Sequence, residues 1–196
     1  MLEKQIRAIY DEQTITVYQA YKKEIAVPAV QNQKFVAPFK MERMTWIKPS
    51  FLWMMYRAGW AVKEGQEHIL AIKIKRSGFE WALKNACLSH FDSTLHDSND
   101  DWKNQLNNAP VRIQWDPEKD IHLQNLRYRS IQIGLTGMAV NYFVKDWIVD
   151  ITDITDQCKQ IHSFILNNEI DKAMSLLPRE EVYELPEDIK KGIGHS

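Results

Sequence analysis

The sequence predicts a single α+β domain, in which a mainly antiparallel sheet of about five strands carries helices to one side or one end. Three observations predict it. Short β-branched or aromatic runs with two-residue alternation recur along the chain, as in Thr14–Tyr18, Val111–Trp115 and Tyr128–Leu135. Apolar residues at helical spacing lie between them, with Pro and Gly near where helices begin and end. The chain of 196 residues, 44% hydrophobic and 26% charged, is long and apolar enough to bury one sizeable core.

Taken in order, Thr14–Tyr18 reads as a core strand. Residues 22–30 place Ile25, Ala26, Ala29 and Val30 at helical spacing, and 31–40 reads as a loop set on an extended course by Pro38. Pro49 fits a first helical position and Gly59 the residue past a helix end, so 49–58 is a short helix, apolar on every side from Phe51 to Tyr56. His68–Ile74 reads as a central strand, and Gly78–Leu83 starts the helix after it. The polar segment 89–108 is a surface insertion, helical around 101–106 and a candidate lid. Val111–Trp115 is a strand ending in a turn at Asp116-Pro117-Glu118. Tyr128–Leu135 and Asp146–Ile151 are further strands, with one or two helical turns at 138–143. Cys158, Ile161, Ile165 and Leu166, then 169–177, form a helical hairpin. The expected division is an α+β catalytic-like domain over 1–155, a helical C-terminal extension packed on it over 156–185, and a frayed tail over 186–196.

Several function classes lack support. The longest apolar run is six residues, Phe51–Tyr56, where a membrane-spanning helix needs about twenty. The amino terminus has no apolar stretch of the secretory kind, which favours a cytoplasmic protein. Cys87 and Cys158 stand apart from one another and from any Cys/His cluster, and the six His are scattered, so no metal site is expected. Phosphate-binding loops, dinucleotide fingerprints, zinc-protease motifs and hydrolase elbows are all missing.

Charge is placed unevenly. Residues 34–76 carry nine Lys/Arg against three Asp/Glu, whereas 146–190 carry eleven acids against four bases. A basic middle favours an anionic ligand, and two differently solvated faces of one domain would read the same way.

Candidate site residues are polar groups set into apolar elements. Gln19 sits between Tyr18 and Tyr21 at the end of a strand, where ligands commonly lie and where tyrosines also serve as packing. Arg43, Trp46, Lys48 and Ser50 gather at the start of the 49–58 helix, whose free N–H groups favour an anion the size of a phosphate. Gln114, Asp116 and Glu118 place an amide and two carboxylates at the end of a strand; Asp116 suits an ordinary turn, and Glu118 could stabilise a developing sugar cation. Arg127 and Arg129 share one face of the strand that carries Gln132, either to clamp a phosphate or to pair with the acidic tail. Trp46, Trp53 and Trp60 recur every seven residues, but Pro49 and Gly59 break any helix that would align them, leaving only Trp46 to stack on a base.

The blocks Val17–Tyr21, Arg43–Arg57, Gln114–Glu118 and Tyr128–Leu135 resemble the domain-of-unknown-function family numbered four-two-nine-one, over about Ile6 to Thr155. The order of strand, helix, polar loop, buried helix and strand also resembles ADP-ribosyltransferases. That resemblance implies a split antiparallel sheet holding NAD in a cleft. It implies Gln19 at the place of the first motif, an Arg or His in that family; Ser50 or Tyr56 at the second; and Glu118 or, as an amide, Gln114 at the third. Gln19, Ser50 and Glu118 would then be catalytic, and Tyr18, Tyr21, Arg43, Trp46, Lys48, Tyr56, Gln114, Arg127, Arg129 and Gln132 would bind the cofactor, with no metal. The expected activity is NAD-dependent modification of a protein or nucleic-acid acceptor. The alternative is a non-catalytic module that binds a nucleotide or RNA through the basic 34–76 region.

Overall fold

The computed structural model describes residues 3–195. Its strands are β1 (Arg7–Ala8), β2 (Thr14–Tyr21), β3 (Thr45–Ile47), β4 (His68–Lys75), β5 (Ala86–Leu88), β6 (Val111–Lys119), β7 (Asn125–Leu135), β8 (Ile148–Asp153) and β9 (Glu181–Val182). The helices are α1 (Lys23–Asn32), α2 (Phe51–Ala58), α3 (Arg76–Lys84), α4 (Asn99–Asn108), α5 (Met138–Tyr142), α6 (Thr155–Leu166), α7 (Ile170–Leu176) and α8 (Glu187–Gly192), with a π-helical turn at Phe143–Trp147.

The strands form an α+β fold of open, mainly antiparallel sheets. One sheet has the order β2-β4-β8 and a second β3-β7-β6-β5, in which only the β5–β6 pair is parallel; β1 and β9 form a short ribbon. β2 is in register with β4 along its whole length, from Thr14 opposite Lys75 to Tyr21 opposite His68. One backbone bond, from the Tyr18 N–H to the Lys48 carbonyl at 2.7 Å, stitches the two larger sheets together. Beyond that stitch no backbone bond joins β2 to β3 among the described residues, and side chains from the last residues of β2 meet Thr45, the first residue of β3.

Two apolar clusters hold the frame. The larger joins Ile15, Val17, Ile72, Ile74, Val111, Ile113, Ile133 and Leu135 of the strands to Phe79 and Leu83 of α3. In the smaller, Phe51, Met54 and Met55 of α2 pack on Tyr18, Ile69 and on Cys158, Ile161 and Ala173 of the α6–α7 hairpin. Each fully buried aliphatic or aromatic side chain contributes roughly 1.5–3 kcal/mol relative to exposure.

Four expectations are corrected. Pro49 lies outside α2, because the Ser50 side chain takes the N-cap role and accepts from the Trp53 N–H at 3.2 Å. α2 is not buried all round, since Tyr56 and Arg57 are exposed. β6 runs on through Asp116-Pro117-Glu118 to Lys119, and a register shift between Pro117 and Lys119 absorbs the proline that suggested a turn. Residues 187–192 do not fray: Ile189 and Ile193 are buried, and the Ile193 carbonyl accepts from the Trp115 indole N–H at 2.9 Å. The 89–108 segment lies along β5, with the Trp102 indole N–H bonded to the Leu88 carbonyl at 2.9 Å, and lines neither cavity described below.

Candidate functional site

Where the sheets part, a cleft of about 860 Å³ opens between the end of β2, the 38–46 segment, Lys48 and the inner side of α2. Ligand pockets for small molecules commonly fall between roughly 300 and 1,000 Å³. Two-residue alternation puts Gln19 and Tyr21 on the cleft side of β2 and Tyr18 on the other. The Gln19 side-chain amide donates to Thr45 Oγ1 at 2.6 Å and to the Trp46 carbonyl at 2.9 Å, and the Tyr21 hydroxyl lies 3.0 Å from the same Thr45 oxygen. A main-chain carbonyl only accepts, so the Gln19 nitrogen must face it. The rim of the two sheets is thereby locked. Burial pushes the Tyr21 phenol up to about 12, so Tyr21 offers the cleft a neutral hydroxyl.

Five basic side chains line the cleft, Lys22, Lys40, Arg43, Lys48 and Arg57, and none of its lining residues is acidic. The remaining polar lining comes from Thr45 and the amides Gln19, Gln66, Gln114 and Gln132, and the flat surfaces from Tyr21, Phe39 and Trp46. Gln114 and Gln132 are directly paired across β6 and β7. Their amide nitrogens grip the two oxygens of Asp116, from Gln114 at 2.9 Å and from Gln132 at 2.5 Å, so this carboxylate is held on the cleft face of β6.

Lys48 is the deepest of the cations. It is 6% exposed, and its ammonium stands 5.3 Å from the centre of the Trp53 ring, with no ion pair to it among the described residues. Burial first, then the Arg57 charge, bring its pKa down to about 7, against a smaller upward pull from Asp116.

The cleft therefore gathers seven of the residues expected from the sequence: Gln19, Tyr21, Arg43, Trp46, Lys48, Gln114 and Gln132. The other six lie elsewhere. Tyr18 packs edge-on against Phe51, ring centres 5.6 Å apart, on the far face of β2. Tyr56 is exposed on the outer side of α2, its ring 3.6 Å from the Lys119 ammonium. Arg127 and Arg129 sit at odd positions of β7, on the face opposite Gln132; Arg127 is exposed, and Arg129 donates to the Trp115 carbonyl at 2.7 Å.

Ser50 and Glu118 belong to a second cavity of about 340 Å³. Glu118 lies four residues beyond Gln114, roughly 13 Å along an extended strand. There it accepts from Ser50 Oγ at 2.9 Å and from the Lys119 N–H at 2.8 Å beneath the N-terminus of α2. Glu180 joins it, accepting from the Phe51 N–H at 2.7 Å. Ser50 and Glu118 thus cap and anchor α2 instead of facing the cationic cleft. Burial pushes the Glu118 carboxyl up.

Sequence reasoning missed Lys22, Lys40, Arg57 and Gln66. The excess of positive charge over 34–76 covers two of them, Lys40 and Arg57, in aggregate, but choosing Arg57 over the other bases there requires the position of α2 against β3. Gly134 is a further contributor. A Cβ built on it would stand 2.9 Å from the Trp46 ring and 3.0 Å from the Met44 sulfur, so the bare backbone of β7 seats that indole. Gly134→Ala is expected to displace Trp46 and lower ligand affinity several-fold while the far-ultraviolet circular dichroism is retained; unchanged affinity would show that Trp46 does not touch the ligand.

The fold and cleft define an α+β protein of split, mainly antiparallel sheets with a cationic, aromatic-walled pocket at the split. A family profile described as Domain of unknown function (DUF4291) matches residues 5–183, and the chain belongs to that family. No curated protein matches it. Among the described residues no helix is long and apolar enough to cross a membrane, and no group of three or more His, Cys, Asp or Glu side chains is placed to hold a metal ion.

Proposed function

We propose that the cleft binds a nucleotide through its phosphates, and that the ligand is NAD used as an ADP-ribosyl donor toward a protein or nucleic-acid acceptor. One observation carries the reading: five cations and no carboxylate line a concave pocket that also offers aromatic faces. Clustered like charges repel one another, and a polyanion relieves that repulsion while gaining charge-assisted hydrogen bonds. Arg43 and Arg57 suit a diphosphate, because a planar guanidinium meets two phosphate oxygens at once. Trp46 or Tyr21 offers a stacking face to a base or a nicotinamide ring.

Breaking a nicotinamide–ribose bond builds positive charge on the sugar, which a nearby carboxylate stabilises. In this reading Asp116 takes that role in place of Glu118: it does not itself line the pocket, but Gln114 and Gln132, which do, donate to its two oxygens. A cytoplasmic setting, where NAD is available, is in keeping with two buried free thiols, Cys87 and Cys158.

The experiment is titration with NAD, ADP-ribose and inorganic diphosphate, together with an assay for released nicotinamide. Arg43→Ala is expected to weaken binding about tenfold, the equivalent of one charge-assisted hydrogen bond, and Asp116→Asn is expected to abolish nicotinamide release while leaving affinity within about threefold. Failure of all three ligands to bind would remove the reading. Exposed Lys22, Lys40 and Arg43 at the mouth favour a second reading, a non-catalytic RNA-binding module. In that case single-stranded RNA binds with an affinity that falls steeply with salt, and no nicotinamide is released.

A further inference from the structure

Lys48 has a role in the cleft that phosphate binding alone does not explain. The rim already supplies exposed cations at Lys22, Lys40, Arg43 and Arg57. Lys48 instead lies at the inner end, 6% exposed, lining the cavity with its amine against the Trp53 ring and without an ion pair among the described residues. A buried lysine used only for its charge is normally met by a carboxylate, because an isolated ammonium loses its hydration on burial. Here the charged groups that act on it are Arg57, from α2, and Asp116, from β6, and the repulsive one is the stronger. An apolar wall together with a neighbouring cation is the arrangement that turns a lysine into a nucleophile, since it leaves the amine uncharged with its lone pair free.

We propose that Lys48 is a nucleophilic lysine whose side-chain amine forms an imine with the carbonyl carbon of a phosphorylated aldehyde held in the cleft. The proposal shares the anion-binding cleft with the nucleotide reading and otherwise stands apart from it. The cations at the mouth take the phosphate, which directs the aldehyde toward the inner end. The Nζ lone pair attacks the carbonyl carbon, and the π electrons move to the oxygen, which takes up a proton. Nitrogen gives up its first proton to complete the carbinolamine, which then loses that oxygen as water: the hydroxyl takes up a second proton as the C–O bond breaks, the nitrogen pair closes the C=N bond, and the second proton leaves nitrogen. One amine and one aldehyde give one imine and one water, with no change of oxidation state. Asp116, on the cleft face of β6, is the carboxylate whose charge acts on Lys48 and the group on hand to relay the proton.

The lowered basicity of Lys48, to about 7, makes the competition quantitative. At pH 7.5 such an amine is mostly neutral, whereas an exposed lysine is neutral to about one part in a thousand.

The test uses the full chain and pyridoxal 5′-phosphate as the phosphorylated aldehyde, with borohydride to reduce the imine to a stable secondary amine, and peptide mapping by mass spectrometry. The expected result is an adduct on Lys48 at least about tenfold above that on Lys22 or Lys40, with a yield that rises through pH 7 and then levels. Inorganic diphosphate should suppress it. Arg57→Gln should move the pH midpoint upward, and both Lys48→Arg and Lys48→Met should lose the mapped adduct. Labelling spread over the rim lysines, or a yield that keeps climbing to pH 10, would overturn the proposal. Wild-type protein that binds NAD but forms no Lys48 adduct removes this proposal alone; protein that forms the adduct but binds no nucleotide removes the earlier reading alone.

Discussion

Gly78→Ala is expected to destabilise the protein by about 3 kcal/mol or more, against the ordinary trend in which alanine in a helix is better than glycine by roughly 1 kcal/mol. Gly78 is buried in α3, and a Cβ there would stand 2.4 Å from Trp147 Cγ and 2.6 Å from two further ring carbons. The clash falls on the root of the indole, so a simple rotation of its far end does not relieve it. Trp147 is also held by Trp81 and Tyr142, with ring centres 5.6 and 6.3 Å away. Thermal unfolding should show a midpoint lower by on the order of 10 °C for a chain of this size. In a Trp147→Leu background the cost of Gly78→Ala should shrink to less than half. A Gly78→Ala protein as stable as the parent would mean that α3 does not rest on Trp147 in this way.

The second large effect is in the dependence of stability on pH, where two buried groups of opposite kind act in sequence. Glu180 is partly exposed as a residue, but its carboxyl is walled in at the N-terminus of α2. Burial first and the neighbouring Glu118 second raise it to about 8, against the Phe51 N–H bond and Arg7. Its folded form holds a proton that the unfolded chain releases above about pH 4.5. Its contribution is therefore complete at acid pH and is lost as pH climbs toward about 8. Glu118 shifts in the same direction.

Lys48 gives the other limb. Its folded form sheds a proton near pH 7, while the unfolded chain keeps one up to about 10.5, so folding gains stability as pH rises across that window. The two limbs meet in a minimum between about pH 7 and 8, each with a slope approaching 1.4 kcal/mol per pH unit for one proton. Urea unfolding from pH 5 to 10 measures it. Glu180→Gln keeps an acceptor for the Phe51 N–H and should flatten the acid limb, with a gain on the order of 2 kcal/mol at pH 8. Lys48→Met should flatten the alkaline limb. A profile that only falls would show that Lys48 is not walled off as described, and one that only rises would show the same of Glu180.

Much of the frame was legible in the residues. Alternation marked β2, β6 and β7, an unbroken apolar run marked β4, and helical spacing marked the α6–α7 hairpin, because each buries a face or stripe against one of the two apolar clusters. Local chemistry misled where two signals competed. Asp-Pro reads as a turn, but Pro117 is tolerated at a register shift, so β6 runs through it. Gly-Ile-Gly-His reads as a loose end, yet Ile193 and its carbonyl are claimed by Trp115. Pro49 was read as a helix start, but the Ser50 hydroxyl next to it makes the better cap.

The site was legible in kind more than in membership. Parity along a strand explains several outcomes: Gln19 and Tyr21 face the cleft and Tyr18 does not, and Gln132 faces it while Arg127 and Arg129 turn away. Parity could not tell Gln114 from Glu118, which share a face of β6 and differ only in distance along it. That distance matters because Ser50 takes Glu118 under the α2 N-terminus.

Composition and periodicity by themselves determined an α+β chain with a basic middle, since those properties are sums over neighbours in sequence. Which charges converge was decided only in three dimensions. The single backbone bond between Tyr18 and Lys48 lets the two sheets part just beyond it, and the gap brings Lys22, Lys40, Arg43, Lys48 and Arg57 around one cavity. A local pattern carries no information about a contact whose partners are set by the packing of distant elements.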